Sequence, residues 1–292
     1  MQFTQLFRPK RAHLPACFWG LVVTCLFPLT GLAQQQPPLQ PDQCSLSSPG
    51  HCVFDIARDQ RGILTSPTRI RKKDFVWLLP LVTAAGATYA FDHAALQHVS
   101  TDPARMKNFA TASNVTGIYG PVAAAGAAWL TGKYRHDDHL RETGALAMLA
   151  MVDTEVFTTF MKFAADRVRP QATGLGSEAG EFWPDGRHFS SATSFPSGHT
   201  ADAFAVAHVI ADEYPGWKVK LAVYGLAAAT GFERVEARRH FPCDVLIGGT
   251  VGYLIGGYVF DHHSSRSKAH VLISPMMARG GGGVSVQFFP SH

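Results

Sequence analysis

The chain of 292 residues has room for one sizeable domain, and charged residues make up only 16% of it against 46% hydrophobic residues. Soluble domains carry roughly 25% charged residues, so this balance favours a helix-packed protein and leaves membrane association open. The formal net charge of +4 is mild, and the basic residues form no long run with interleaved aromatic residues. Nucleic acid is therefore excluded as an expected partner.

Residues 1–33 have the pattern of a secretory signal peptide. Arg8, Lys10 and Arg11 precede an apolar stretch that ends in small residues before a Gln/Pro-rich segment. A positive region, an apolar region and a small-residue cleavage site in this order direct export. We expect cleavage after Ala33, with an uncleaved signal anchor as the alternative.

Residues 34–70 are rich in Gln, Pro and Ser and are predicted to form an exported linker or arm. Cys44 and Cys52 flank a Ser/Pro/Gly-rich loop in this segment. Because exported proteins meet an oxidising compartment, a local disulfide between these two residues is the expected arrangement. Cys243 would then be the unpaired thiol.

Residues 71–264 carry helical periodicity and are predicted to form one all-α domain, a bundle of about six helices. The candidate helices lie at about 75–92, 117–132, 141–168, 199–213, 218–233 and 242–261. The longest connection, 171–198, is too long for a simple turn, so we expect it to be functional. The tail, 265–292, contains two β-prone runs around a Gly-rich turn and predicts a short hairpin.

The apolar runs do not decide whether the bundle crosses a membrane. A spanning helix needs about 20 mostly apolar residues, and the runs 75–91 and 245–260 are shorter than that. The third candidate helix carries Asp153 and Glu155, which would be costly in lipid unless they faced the bundle interior. We expect a compact bundle, with membrane embedding as a close alternative.

The third candidate helix ends in the sequence KFAADRVRP, which contains two cations. Lys162 and Arg169 are seven residues apart, or two helical turns, so both are predicted to project from one helix face before Pro170 ends the helix. Asp166 lies between them. An ion pair of Asp166 with either cation is the structural alternative to a shared anion site.

The sequence SFPSGHT, residues 194–200, indicates a turn that leads into a helix N-terminus. Ser197, Gly198 and His199 would lie at that N-terminus. The unpaired backbone amides and the positive end of the helix dipole attract anions there. A Ser N-cap beside an incidental histidine is the simpler alternative.

The fifth candidate helix leads into ERVEARRHFPCDV, in which Arg234, His240 and Asp244 stand out. Pro242 is a natural first-turn residue, so Asp244 is expected in the first turn of the last helix. There it could cap the helix, or accept a hydrogen bond from His240 Nδ1–H and leave Nε2 free as a nucleophile. Cations, a helix N-terminus and a His–Asp pair together suit phosphoryl transfer without a metal.

In these three segments the chain resembles the type 2 phosphatidic acid phosphatase (PAP2) family. The segments match its Lys-x6-Arg-Pro, Pro-Ser-Gly-His and Arg-x5-His-x3-Asp motifs in order, and the resemblance covers about residues 75–262. That family shares its site with class A acid phosphatases and vanadium haloperoxidases. One departure is Glu233, where the family often has Ser. We expect the Glu233 carboxylate to face away from the site or to pair with a neighbouring Arg.

The resemblance implies a role for each matched residue. Five residues would hold the phosphate group: Lys162, Arg169, Ser197, Gly198 and Arg234. His240 would be the nucleophile that forms a phosphohistidine, oriented by Asp244. His199 would protonate the leaving alcohol, and a bound phosphate dianion should raise its pKa for that task. No metal and no cofactor is expected.

The expected function is an exported phosphatase, periplasmic or membrane-associated, with its site facing the periplasm. The substrate would be a lipid phosphate or diphosphate. The alternatives are a soluble acid phosphatase for small phosphate esters, a vanadium haloperoxidase in which His240 coordinates vanadate, and a non-enzymatic anion-binding scaffold. Phe182, Trp183 and Phe189 in the long loop are expected either to contact substrate or to anchor the loop.

Overall fold

The computed structural model describes residues 49–170, 179–183, 193–267, 271–278 and 281–288. The signal peptide, the Cys44–Cys52 pairing and Phe189 lie outside this part of the chain. The described part contains eight α-helices: α1 (Pro49–Leu64), α2 (Phe75–Gln97), α3 (Pro103–Asn114), α4 (Gly120–Arg135), α5 (Asp138–Ala165), α6 (Gly198–Glu213), α7 (Trp217–Glu236) and α8 (Pro242–His263). The all-α prediction is confirmed.

Short elements connect or follow these helices. Two 3-10 turns, Ser66–Arg69 and Lys72–Asp74, lie between α1 and α2, and a π-helical turn at Val115–Tyr119 joins α3 to α4. Strands β1 (Val271–Ala278) and β2 (Gly281–Phe288) pair antiparallel, with their outermost residues opposite each other.

Helices α1 and α3 were not among the predicted helices. α1 lies within the segment expected to be an arm, and its Gln60 amide donates to the carbonyl and the carboxylate of Asp153 on α5, at 3.0 and 3.1 Å. Its buried face carries Asp55 and Asp59 as well as Ile63. The prediction depended on the Gln, Pro and Ser content of residues 34–70 as a whole, which hides the amphipathic stretch that forms α1.

The predicted extension of α5 to residue 168 is wrong, and so is the shared helix face for Lys162 and Arg169. α5 ends at Ala165, and Asp166 adopts a left-handed conformation with φ 41°. The chain then runs extended, and Val168 exchanges backbone hydrogen bonds with residues 180 and 181. Arg169 therefore reaches the site from this extended segment.

α6 lies at the centre of the bundle and packs on α5, α7 and α8. Its contact with α8 is unusually close, because a Cβ atom added at Gly252 would lie 1.9 Å from the carbonyl oxygen of Ala201. Only glycine permits this approach. It brings the N-termini of α6 and α8 side by side, where Ser197 N donates to the Asp244 carbonyl at 3.0 Å.

In the part of the chain that the structure describes, three helical segments are long and apolar enough to cross a membrane: Lys72–Gln97, Asp138–Ala165 and Pro242–His263. The apolar side chains of α2, among them Val76 and Phe91, are exposed, whereas Asp153 on α5 is fully buried. A large exposed apolar surface marks a membrane or protein contact. This surface favours the membrane alternative over a bundle surrounded by water.

Candidate active site

The three predicted motifs meet at one end of the bundle, where α5 and α7 end and α6 and α8 begin. The structure brings all eight predicted site residues to this end: Lys162, Arg169, Ser197, Gly198, His199, Arg234, His240 and Asp244. The reversal of the chain after α5 and the close packing of α6 on α8 produce this arrangement.

The N-terminus of α6 forms the floor of a cradle for an anion. Ser197 is the N-cap residue, and its buried hydroxyl pairs with Thr200 Oγ1 at 2.9 Å. The amides that follow, beginning with Gly198, belong to the first helical turn, where backbone N–H groups have no partner within the helix. Lys162 Nζ lies 2.9 Å from the position that a Cβ atom would take at Gly198, so the ammonium group covers this turn.

Two arginines complete the cationic wall. Arg169 donates through Nε and Nη2 to the Thr193 carbonyl, both at 3.3 Å. Arg234 is buried, and its Nη1 donates to Ser113 Oγ at 3.2 Å. Burial and the neighbouring guanidinium groups of Arg169 and Arg239 lower the pKa of Arg234 to about 9. Crowded buried cations of this kind are stabilised when an anion binds among them.

The positive charges of these cations act on the His199 imidazole. Its Nε2–H donates to Asn114 Oδ1 at 2.8 Å, which orients the ring. Burial and the nearby charges of Arg234, Lys162 and Arg169 lower the pKa of His199 to about 3. The imidazole is therefore neutral at physiological pH when no anion is bound. The higher pKa expected beside a bound phosphate remains a prediction.

The expected hydrogen bond between His240 and Asp244 is wrong. His240 Nδ1–H donates to the Ser194 carbonyl at 2.6 Å, and the nearest Asp244 oxygen is 3.9 Å away. The Ser194 carbonyl fixes the same tautomer that the Asp244 carboxylate would have fixed. A carbonyl accepts a hydrogen bond but cannot donate one, so the proton of the neutral ring is on Nδ1. The Nε2 lone pair then points towards Arg234, whose Nη2 is 3.4 Å away. Burial and the Arg234 charge lower the pKa of His240, so this ring is also neutral.

Asp244 is part of a buried ion network that the sequence interpretation missed. One of its oxygens caps α8 by accepting from Phe241 N at 2.8 Å, and the other pairs with Arg167. Arg167 also donates to Asp92 on α2 at 2.8 Å, and all three charged residues are buried. The signal that could have revealed the network is Asp92, a carboxylate near the end of a long apolar run, since a buried charge needs a partner.

Other predictions near the site have mixed outcomes. The Glu233 carboxylate accepts from the Thr116 hydroxyl at 2.6 Å, so its partner is a hydroxyl group and not an arginine. Trp183 Nε1 donates to the Ala164 carbonyl at 2.7 Å, and Phe182 lies against Arg167. For these two aromatic residues the contacts support the loop-anchor alternative.

The donor set of the site suits an oxyanion. Within the described ranges, no group of three or more His, Cys, Asp or Glu side chains is placed to hold a metal ion. The site instead combines fixed cations, free backbone amides and an imidazole whose Nε2 lone pair is available. These groups can bind a tetrahedral anion and bring a nucleophile to its central atom.

Sequence comparisons point to one superfamily. The family model of the PAP2 superfamily matches residues 143–267. The Lipid A 1-phosphatase of Porphyromonas gingivalis is 44% identical over 81 residues, which are 26% of this chain and 17% of that protein. The chain therefore matches less than a fifth of this relative's length.

Two solved structures resemble the chain. The transmembrane PAP2 type phosphatidylglycerolphosphate phosphatase from Bacillus subtilis has a TM-score of 0.42 at 20% identity, and the match covers 73% of this chain and 94% of that one. Aquifex aeolicus LpxE has a TM-score of 0.39 at 20% identity, and the match covers 61% of this chain and 94% of the LpxE chain.

Proposed function

We propose that the protein is an exported, metal-independent phosphatase for lipid phosphates or diphosphates, acting through a phosphohistidine. The match of residues 143–267 to the family model of the PAP2 superfamily supports this proposal. The observation that carries the proposal is the geometry of His240. Its Nδ1–H is bound by the Ser194 carbonyl, and its Nε2 faces Arg234 at 3.4 Å. A phosphate held by Arg234 would meet the Nε2 lone pair directly.

The first step transfers the phosphoryl group to the enzyme. The His240 Nε2 lone pair attacks phosphorus while the bond to the leaving oxygen breaks, and protonated His199 gives its proton to that oxygen. Lys162, Arg169 and Arg234 neutralise the charge on the remaining phosphate oxygens. His199 is neutral in the ligand-free site, so the substrate's own negative charge has to raise its pKa before it can act as the acid.

The second step releases inorganic phosphate. Neutral His199 takes a proton from a water molecule, the water oxygen attacks phosphorus, and the bond between phosphorus and His240 Nε2 breaks. Phosphate leaves, His240 is neutral again, and His199 releases to solvent the proton that it took up when the substrate bound. Each proton that His199 donates in the first step is recovered in the second.

A lipid substrate is supported by the surface as well as by the relatives. One relative is described as a Lipid A 1-phosphatase, although the match covers 17% of it. Among the described residues, three helical segments have the length and composition to cross a membrane. α8 is one of them, and it begins at the site. A site at the end of a spanning helix would meet lipid headgroups at the bilayer surface, and we place this surface on the periplasmic side.

The test is a substrate panel with the purified full chain in detergent and EDTA. The panel compares phosphatidate, phosphatidylglycerophosphate, undecaprenyl diphosphate, lipid A and p-nitrophenyl phosphate. We expect turnover that EDTA leaves undiminished, with a lipid substrate ranked first. Activity that EDTA abolishes and Mg²⁺ restores would overturn the mechanism, and bromide oxidation with vanadate and peroxide would indicate a haloperoxidase.

The intermediate can be trapped with labelled substrate and rapid quenching. We expect an acid-labile phosphoryl group on His240 that is missing in His240→Gln, together with a loss of activity by at least about 10³-fold. His262→Gln is the matched control, because His262 is an exposed histidine at the opposite end of α8. A label that survives His240→Gln would show that another group is the nucleophile.

A further inference from the structure

An apolar groove lies between α7 and α8, next to the site. Its volume is about 540 Å³, within the roughly 300–1,000 Å³ of ligand pockets. The lining is almost entirely apolar, and it includes Phe204, Gly231, Val235, Pro242, Val245 and Tyr253.

The groove exists because α7 and α8 both pack closely on α6 but separate from each other below the site. Small residues keep it open. A Cβ atom added at Gly249 would meet the Phe204 ring at 3.2 Å, so any side chain there would fill space at the floor of the groove. Ala228 on the α7 wall is exposed and has only a methyl side chain.

At one end the lining of the groove includes residues that are neighbours of site residues in the chain. Val235 follows Arg234 directly in the chain, and Pro242 comes two residues after His240. From Pro242 the lining follows α8 down to Tyr253, a distance of about 16 Å at 1.5 Å per helical residue. A molecule with its phosphate at His240 could therefore extend an apolar chain along α8.

We propose that this groove binds one acyl chain of the lipid phosphate substrate, an assignment that rests on the proposed function. The lining carries few polar groups, and the Thr250 hydroxyl already donates to the Leu246 carbonyl at 2.8 Å. Phe232 and Tyr253 on its two walls are exposed, and α8 is a candidate membrane span. A chain can thus enter sideways from the bilayer while the headgroup stays at the surface.

The groove contributes selectivity more than affinity in a membrane. Lipid tails are as apolar as the lining, so moving a chain from bilayer to groove changes little hydrophobic free energy. In water the same transfer is favourable. The acyl-chain dependence is therefore best measured with short-chain phosphatidates at concentrations below micelle formation.

The test compares two variants on neighbouring positions of α7. Ala228→Phe places a ring in the groove, and Ala229→Phe is the matched control, because Ala229 is also exposed but lies about 100° further around the helix. The measured quantity is the ratio of kcat/KM for dioctanoyl phosphatidate to kcat/KM for p-nitrophenyl phosphate. We expect Ala228→Phe to lower this ratio at least about tenfold, and the control to change it less than twofold.

A variant with the opposite effect guards against misfolding. Tyr253→Ala removes a ring from the lining, so we expect the preferred chain length to shift upward. Equal ratios in Ala228→Phe and Ala229→Phe, with no shift in Tyr253→Ala, would overturn the groove assignment. If Ala228→Phe lowers the ratio only by altering the oligomeric state seen on gel filtration, the groove is a contact between two copies and the assignment fails.

Occupancy can also be read without turnover. A phosphatidate carrying a diazirine near the end of one chain should label peptides of α7 and α8 on illumination, and Ala228→Phe should lose this labelling. If the wild type hydrolyses no phosphate ester, the proposed function fails, whereas the labelling still reports on the groove. If the wild type hydrolyses phosphatidate but the diazirine labels peptides outside α7 and α8, only the groove assignment fails.

Discussion

His240 Nδ1 lies 2.6 Å from the Ser194 carbonyl oxygen and 3.9 Å from the Asp244 carboxylate. A neutral carbonyl fixes the tautomer of the ring without the strong stabilisation that a carboxylate gives to an imidazolium ion. His240 therefore stays neutral among the cations of the site, as an attacking nitrogen must. Asp244 acts on the site through architecture, by capping α8 and by holding Arg167.

Arg167→Met should destabilise the protein strongly, because it leaves Asp92 and Asp244 buried without their common partner. Removing one member of a buried ion network costs about 3–5 kcal/mol. Thermal unfolding in detergent measures the effect as a lower melting temperature. The control is Arg141→Met, whose partner Asp138 is exposed, and its cost should stay below about 1 kcal/mol. Equal melting temperatures for the two variants would contradict the network's structural role.

Gly198→Ala should weaken phosphate binding, because the new Cβ atom would lie 2.9 Å from Lys162 Nζ and push the ammonium group away from the first turn of α6. We expect KM to rise about tenfold while the fold is retained. A tenfold change corresponds to the loss of about one charge-assisted hydrogen bond to the phosphate. Gly225→Ala on α7 is the matched control, since nothing lies within 4 Å of the added atom. A KM unchanged by Gly198→Ala would place the phosphate elsewhere.

Glu155→Gln should strengthen the binding of phosphate and vanadate. Glu155 Oε2 lies 3.4 Å from the Cβ position of Gly198, and Oε1 lies 4.0 Å from Lys162 Nζ, so this carboxylate competes with an anion for the same cation. Because the side chain is half exposed, the gain should be modest, about two- to fivefold in the inhibition constant.

The control for this prediction is Glu142→Gln, whose carboxylate binds Ser265 away from the site. It should leave vanadate inhibition unchanged. Weaker inhibition in Glu155→Gln would mean that the carboxylate positions Lys162 for the anion and does not compete with it.

The contribution of His199 and His240 to the stability of the ligand-free protein should fall between about pH 6.5 and pH 3. The folded-state pKa of His199 is lowered to about 3, and that of His240 is also lowered from the ordinary value of 6.5. At these two positions the unfolded chain binds more protons than the folded one in this window, so their contribution to the free energy of unfolding falls as the pH falls. Comparing the melting temperatures of the wild type and a histidine variant across this range isolates the contribution.

His199→Gln should reduce the proton uptake on unfolding in this window by about one proton, because this group no longer titrates. Saturating phosphate should reduce the uptake as well, since a bound dianion raises the pKa of His199 towards its unfolded value. A pH dependence identical in wild type and His199→Gln would show that His199 is not held neutral in the free site.

The positions of helices could be predicted from the sequence where a helix has an apolar face or where a capping residue or proline marks its start. Ser197 before Gly198 marked the start of α6, and Pro242 marked the start of α8; both boundaries agree with the structure. α1 escaped prediction because the Gln-, Pro- and Ser-rich composition of residues 34–70 masked its amphipathic stretch. The end of α5 was misplaced because a left-handed Asp166 has no strong sequence signature.

By itself, the sequence determined which residue types the site contains, since motif spacing is a local property of the chain. The tertiary structure alone decided which atoms meet. Ser194 replaced Asp244 as the partner of His240 Nδ1, and Arg167 became the centre of a buried ion network. These pairings depend on how closely α6 and α8 approach and on how the chain turns after α5. Such distances are set by packing between segments far apart in sequence, which no local pattern records.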